Sequence, residues 1–169
     1  MKNFYIFLDI DGVMYDCDYI IAEIESGRME RGGFIRKFKP ESVQALNLLI
    51  EELEKYYDVR LIISSTWRAN MPFTAKILKN NGLEYNKEME RTPIYDPSKR
   101  GEQILDYLQD KENFDFVIID DEMFDFKKFF KQEKIIKCEM FHSALSIKMV
   151  RDFLNRTIKN SKDKELLKK

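Results

Sequence analysis

The chain reads as an α/β fold, a Rossmann-like doubly wound parallel sheet with helices on both faces. Short apolar runs such as Phe4–Leu8, Val59–Ile63 and Phe116–Ile119 have the unbroken hydrophobicity of strands buried on both faces. Between them lie stretches with apolar residues at helical spacing, the alternation that builds parallel sheets. The runs also end in polar residues: Asp9 and Asp11, Ser64 and Ser65, Asp120 and Asp121. In an open parallel sheet such ends gather at the carboxyl edge, where ligands bind.

Each element follows in order. Residues 4–9 form the first strand, and Gly12 lets the backbone turn sharply behind it. Residues 13–39 are mixed in character, with Gly27, Gly32 and Gly33, and read as a hairpin-like or irregular excursion. Pro40 suits the first turn of a helix that carries Val43, Leu46, Leu49, Ile50 and Leu53 to about residue 55. Val59–Ile63 is the second strand, and a helix over about 71–80 stops at Asn81-Gly82. A short third strand is expected near 83–86. Asp96 followed by Pro97 predicts an N-cap and N1 pair, opening a helix with Ile104, Leu105 and Leu108. Phe116–Ile119 is the next strand, the Phe-rich stretch 124–130 packs beneath the site, and 135–138 is an edge-like strand. The last helix spans Ser146 to about Thr157, and the Lys-rich tail over 159–169 is expected to be solvated and disordered. Residues 1–158 are taken as one domain.

Composition narrows the function. A chain of 169 residues can bury a real core, and a formal net charge of -1 does not suit a coat for nucleic acid. The two cysteines, Cys17 and Cys138, form no C-x-x-C pair and read as reduced thiols. No run approaches membrane-spanning length, so a cytoplasmic protein without a membrane partner is expected. With His142 as the one histidine, mechanisms built on histidine clusters are excluded.

Asp9-Ile10-Asp11-Gly12 sets two carboxylates at one strand end, where they repel unless a cation or proton is shared. Mg²⁺, a hard ion that prefers oxygen, resolves this. A calcium EF-hand loop does not fit, because the glycine falls at position four and Val13 stands at position five. Together the strand ends and the basic pair Lys99-Arg100 supply carboxylates, hydroxyls and a cation, the parts that phosphoryl transfer needs.

In that order the motifs FLDIDGV, LIISS, the basic pair in DPSKRGEQI, and VIIDD resemble those of the haloacid dehalogenase (HAD) superfamily of aspartate-nucleophile phosphatases, over residues 4–121. The resemblance implies that Asp9 is the nucleophile forming an aspartyl-phosphate, and that Asp11 is the acid and then the base. It implies Mg²⁺ held by Asp9, the Asp11 backbone carbonyl and the Asp120/Asp121 pair. It places Ser64, or Ser65 if the strand end is shifted by one, on a phosphate oxygen, and Lys99 or Arg100 as the neutralising cation. Gly12, Ser65 and Arg68 are the substrate-binding positions, with Arg68 set against either a phosphate or a surface ion pair. Trp67 is expected in the core, and His142 in a structural role.

The segments 13–39 and 69–98 are too short for a full cap domain, so the site resembles that of a capless or minimally capped member. SSTWR with a terminal DD is similar to HAD domains of nucleic-acid end-repair proteins. The basic residues Arg28, Arg31, Arg36, Lys37 and Lys39, with Phe34 and Phe38, could meet a phosphate backbone or form an ordinary charged surface. The expected function is a Mg²⁺-dependent phosphomonoesterase on a phosphorylated substrate, with polynucleotide 3′ or 5′ ends first in order. A phosphatase of small metabolites or nucleotides stands second, and a non-catalytic binding module third.

Overall fold

The computed structural model describes the backbone of residues 1–166 and the side chains of residues 1–157. The expected Lys-rich tail falls outside the described side chains. Five strands, β1 (Asn3–Leu8), β2 (Asp58–Ile63), β3 (Glu90–Arg91), β4 (Phe114–Asp120) and β5 (Ile135–Lys137), form one sheet in the order β3-β2-β1-β4-β5. Every pairing is parallel. The chain builds outward from β1 through β2 to β3, then returns to the other side of β1 for β4 and β5. The reversal places a topological switch point between β1 and β4, where such sheets open a ligand crevice.

Side-chain alternation along β1 feeds two cores. Phe4, Ile6 and Leu8 pack with α2 (Pro40–Glu54), α3 (Met71–Asn80) and α6 (Ile147–Leu166), while Tyr5 and Phe7 pack with α4 (Arg100–Leu108) and the short α5 (Phe126–Phe129). Helices therefore cover both faces, as a right-handed crossover sense requires once the winding direction reverses. Among the described residues no helix is long and apolar enough to cross a membrane.

Four elements differ from the sequence expectation. The 13–39 excursion contains a helix, α1 (Cys17–Glu25), capped by Asp16, whose Oδ1 accepts from Tyr19 N at 2.9 Å. The third strand is at Glu90–Arg91, not 83–86. Leu83 and Tyr85 are buried by packing into the core, and the Tyr85 hydroxyl accepts from Leu61 N at 3.2 Å. The helix expected from Pro97 starts three residues later at Arg100, because Asp96 folds a tight turn instead, accepting from Ser98 N at 2.9 Å and Lys99 N at 3.0 Å. α6 runs to Leu166 rather than ending near Thr157.

Candidate active site

Asp9 follows β1, and its N–H donates to Ile119 O at 3.0 Å, extending the β1–β4 ladder by one step. The chain then turns at Gly12, whose φ of +72° lies in the left-handed region. A Cβ there would stand 2.4 Å from Asp121 Oδ2, so the turn admits only glycine and brings its backbone against the end of β4.

Asp9 and Asp120 are buried and Asp121 is half-buried, with one carboxylate oxygen of each lying within 4.8 Å of the others. Burial pushes all three carboxyls upward, and repulsion from Asp120 raises Asp9 further, well above the usual carboxylate range. Three convergent hard oxygen donors whose ionisation is opposed in this way are a donor set that fits Mg²⁺. Asp11 is not in the cluster. Its Oδ1 accepts from Trp67 Nε1 at 3.0 Å and from the Tyr15 hydroxyl, which hold its carboxylate outside that group of three.

The cation beside these carboxylates is Arg100. Its Nη1 stands 3.0 Å from Asp9 Oδ1 and 2.6 Å from Asp120 Oδ2. Burial works against its charge, but Asp9 and Asp120 outweigh that and hold the guanidinium more firmly protonated than usual. Phe124, at a φ of 35° that bulky residues rarely adopt, sets its ring 4.4 Å from the Arg100 guanidinium carbon. Asp125 completes the support by accepting from Gly101 N at 2.6 Å and Glu102 N at 3.2 Å, which caps the start of α4.

Lys99 does not reach the site. It is the residue before α4, its side chain is 50% exposed against 8% for Arg100, and it pairs with Glu102 at 3.3 Å. The late start of α4 turns Arg100 rather than Lys99 toward β1 and β4.

At the end of β2 the two serines separate. Ser65 lies beside Asp9, where its side chain favours the ionised carboxyl, and its Oγ accepts from Trp67 N at 3.4 Å, whereas Ser64 Oγ is buried with no partner among the described residues. Of the two alternatives, Ser65 is thus the one whose side chain bears on Asp9. Arg68 is 4% exposed and is neither a surface ion pair nor a free two-pronged clamp. Its Nη1 binds Ser64 O and, at 2.8 Å, Ser65 O, and its Nη2 donates to Gln103 Oε1 at 2.6 Å. Only its Nε is left without a partner. Arg68 therefore locks the β2 end to α4, with Gln103 Nε2 tied onward to Asp96 O at 2.7 Å. A cavity of about 90 Å³ lies beside Arg68, Arg100, Gln103 and Tyr95.

Trp67 is half-buried and packs against the main core, with its ring beside Phe34, Phe38 and Phe73. His142 is exposed and pairs with Asp18 at 3.0 Å, away from the carboxylates. Cys138 is buried and Cys17 half-buried, both as free thiols. Tyr15, Gln103 and Asp125 were not singled out from the sequence, whereas Phe124 belongs to the stretch expected to pack beneath the site. Tyr15 lies four residues from Asp11, and Gln103 one helical turn from Arg100, so spacing was the available signal for both.

The profile of the HAD domain in Swiss Army Knife RNA repair proteins matches residues 5–147. The chain belongs to that family. No curated protein and no solved structure matches it. The HAD match begins inside β1 and ends at the first residue of α6, so it takes in the rest of the sheet and every site residue described above.

Proposed function

We propose that this HAD domain is a Mg²⁺-dependent phosphomonoesterase that works through an aspartyl-phosphate on Asp9, with phosphorylated polynucleotide ends as substrate. One observation carries the reading. Asp9 shares a buried cation, Arg100, with Asp120 and lies in one carboxylate cluster with Asp120 and Asp121, while the second aspartate of the loop makes its own hydrogen bonds.

Asp9, Asp120 and Asp121 would hold the metal. When bound it supplies positive charge that favours ionised Asp9 and offsets repulsion between carboxylate and phosphate. In the first half-reaction an Asp9 oxygen forms a bond to phosphorus while the bond to the leaving oxygen breaks. Asp11 gives its proton to that leaving oxygen. Water then attacks phosphorus, Asp11 takes the water's proton, and the bond to Asp9 breaks to release phosphate. The Arg100 guanidinium and the Ser65 hydroxyl bear on the charged phosphoryl oxygens throughout. Arg68 acts through Ser65, fixing the backbone that carries it.

The choice of polynucleotide ends rests on membership in a family of RNA repair domains and on the shortness of the segment that could cover the site. Between Gly12 and Pro40 the chain adds only α1 and an irregular stretch, which leaves the site minimally capped. The test is phosphate release with Mg²⁺ from an aryl phosphate, nucleoside monophosphates and 3′- and 5′-phosphorylated oligonucleotides. Highest kcat/KM on an oligonucleotide, falling steeply with salt, supports the reading. Highest kcat/KM on a small phosphoester with a shallow salt response replaces it with a metabolite phosphatase. No release from any of them supports a binding module.

A further inference from the structure

A groove that the phosphoryl chemistry leaves unused lies against the acid. It encloses about 670 Å³ and is lined by Phe34, Arg36, Thr66, Trp67, Asn70 and Phe73 among others. Its aromatic wall is continuous. The Phe34 ring centroid lies 5.3 Å from that of Trp67 and 5.5 Å from that of Phe73, and the Trp67 and Phe73 planes differ by 30°. Phe34 is 60% exposed, a large apolar ring facing open space. The inner end of the wall is the Trp67 indole, whose Nε1 donates to Asp11 Oδ1 at 3.0 Å. The groove is therefore one hydrogen bond from the carboxyl that would protonate the leaving oxygen. Charge complements shape. Arg36 stands in the lining, with Arg31 and Lys37 near it in the sequence, whereas Arg28 and Lys39 are held in ion pairs with Glu23 and Asp16. The volume falls within the roughly 300–1,000 Å³ of small-ligand sites. Stacked aromatics beside arginine suit a flat base joined to phosphate.

We propose that this groove is a nucleobase subsite, in which the base of the nucleotide whose phosphate meets Asp9 stacks on Phe34, Trp67 and Phe73 while Arg36 faces the adjoining phosphate. The link to the reacting phosphate rests on the phosphatase reading above, but base binding does not require turnover.

Trp67 is the one tryptophan of the chain, so indole fluorescence reports on the groove directly. The full chain carrying Asp9→Asn is titrated with adenosine monophosphate, with a terminally phosphorylated single-stranded oligonucleotide, and with ribose phosphate, which has no base. Saturable quenching by the first two but not by the third is expected. Phe34→Ala, at an exposed position that leaves the core intact, weakens nucleotide binding about 5- to 150-fold, the loss that one stacked base represents. Equal quenching by ribose phosphate, or binding unchanged by Phe34→Ala, overturns the subsite. So does a Phe34-dependent dimer in sedimentation that nucleotide does not perturb, which would assign the groove to a second copy of the chain. Quenching without hydrolysis by the wild type removes the phosphatase reading and leaves the subsite. Hydrolysis without base-dependent quenching removes the subsite alone.

Discussion

Arg100 Nη1 lies 3.0 Å from Asp9 Oδ1, so the first residue of one helix sets its charge against the strand-end carboxylate from which the chemistry would start. Lys99, its neighbour, points to solvent. Arg100→Ala is expected to lower kcat for phosphate release by about 10²–10³, the scale for removing one preorganised charge partner. Lys99→Ala leaves kcat unchanged. Steady-state kinetics of the two variants, side by side, check the assignment.

Much of this was legible in the sequence because a few residues carry it. The run Phe4–Leu8 reads as a strand buried on both faces, and its position next to Asp9 sets that carboxylate at the sheet edge. The Asp120-Asp121 pair was legible for the same reason. What did not show has physical causes. β3 pairs through only two residues, Glu90 and Arg91, too few to leave a hydrophobic pattern. α1 fully buries only Glu23, with Tyr19 and Ile20 half-buried against the core behind the Asp16 cap, so its apolar periodicity is weak. Asp96-Pro97 has the residue types of a helix start, but Ser98 and Lys99 turn back onto Asp96, which moves the start of α4 and decides Arg100 over Lys99. Whether Ser64 or Ser65 faces Asp9 depended on a one-residue shift in where a strand ends, which residue type alone does not set.

The indole of Trp67 and the hydroxyl of Tyr15 converge on one oxygen of Asp11. Trp67→Phe keeps an aromatic ring in place and removes the N–H. The expected result is kcat lowered by about tenfold, the worth of one hydrogen bond to a charged group, with KM for an aryl phosphate unchanged. An unchanged kcat would mean that Asp11 needs no such positioning.

Without metal, Asp9, Asp120 and Asp121 are held above their ordinary ionisation range by burial and mutual repulsion. A carboxyl raised on folding makes the folded chain bind more protons than the unfolded one, so stability falls as pH rises from about 4 through the raised values. Mg²⁺ should reverse that loss. Its stabilisation is expected to grow from acid toward neutral pH, reaching about 2.7 kcal/mol at a hundredfold excess over Kd. Gly12→Ala, which would force Asp121 aside, abolishes the increment. Thermal melts across pH with Mg²⁺ and with chelator provide the measurement.

Away from the site, Asp16 Oδ2 accepts from Lys39 Nζ at 2.8 Å and Ala144 N at 3.1 Å, tying the start of α1 to the chain before α2 and before α6. Burial alone would raise this carboxyl, but hydrogen bonds from Lys39, Ala144 and Tyr19 outweigh it and hold it below the usual range. Its contribution is therefore complete above about pH 4 and is lost as pH falls through the depressed value. Asp16→Ala is expected to cost about 2–4 kcal/mol at neutral pH, since it removes the cap and leaves Lys39 and the Ala144 N–H without their buried partner. Denaturant unfolding should show the gap to wild type narrowing in acid.

Covalent capture tests the central claim most directly. Wild type and Asp9→Asn are mixed in single turnover with Mg²⁺ and a substrate carrying a labelled terminal phosphate, then quenched in acid. Label retained on the wild-type chain, mapped to the peptide containing Asp9, released by hydroxylamine and absent from Asp9→Asn, is the predicted result. Hydrolysis with no label on the chain, or hydrolysis that survives Asp9→Asn, would contradict it.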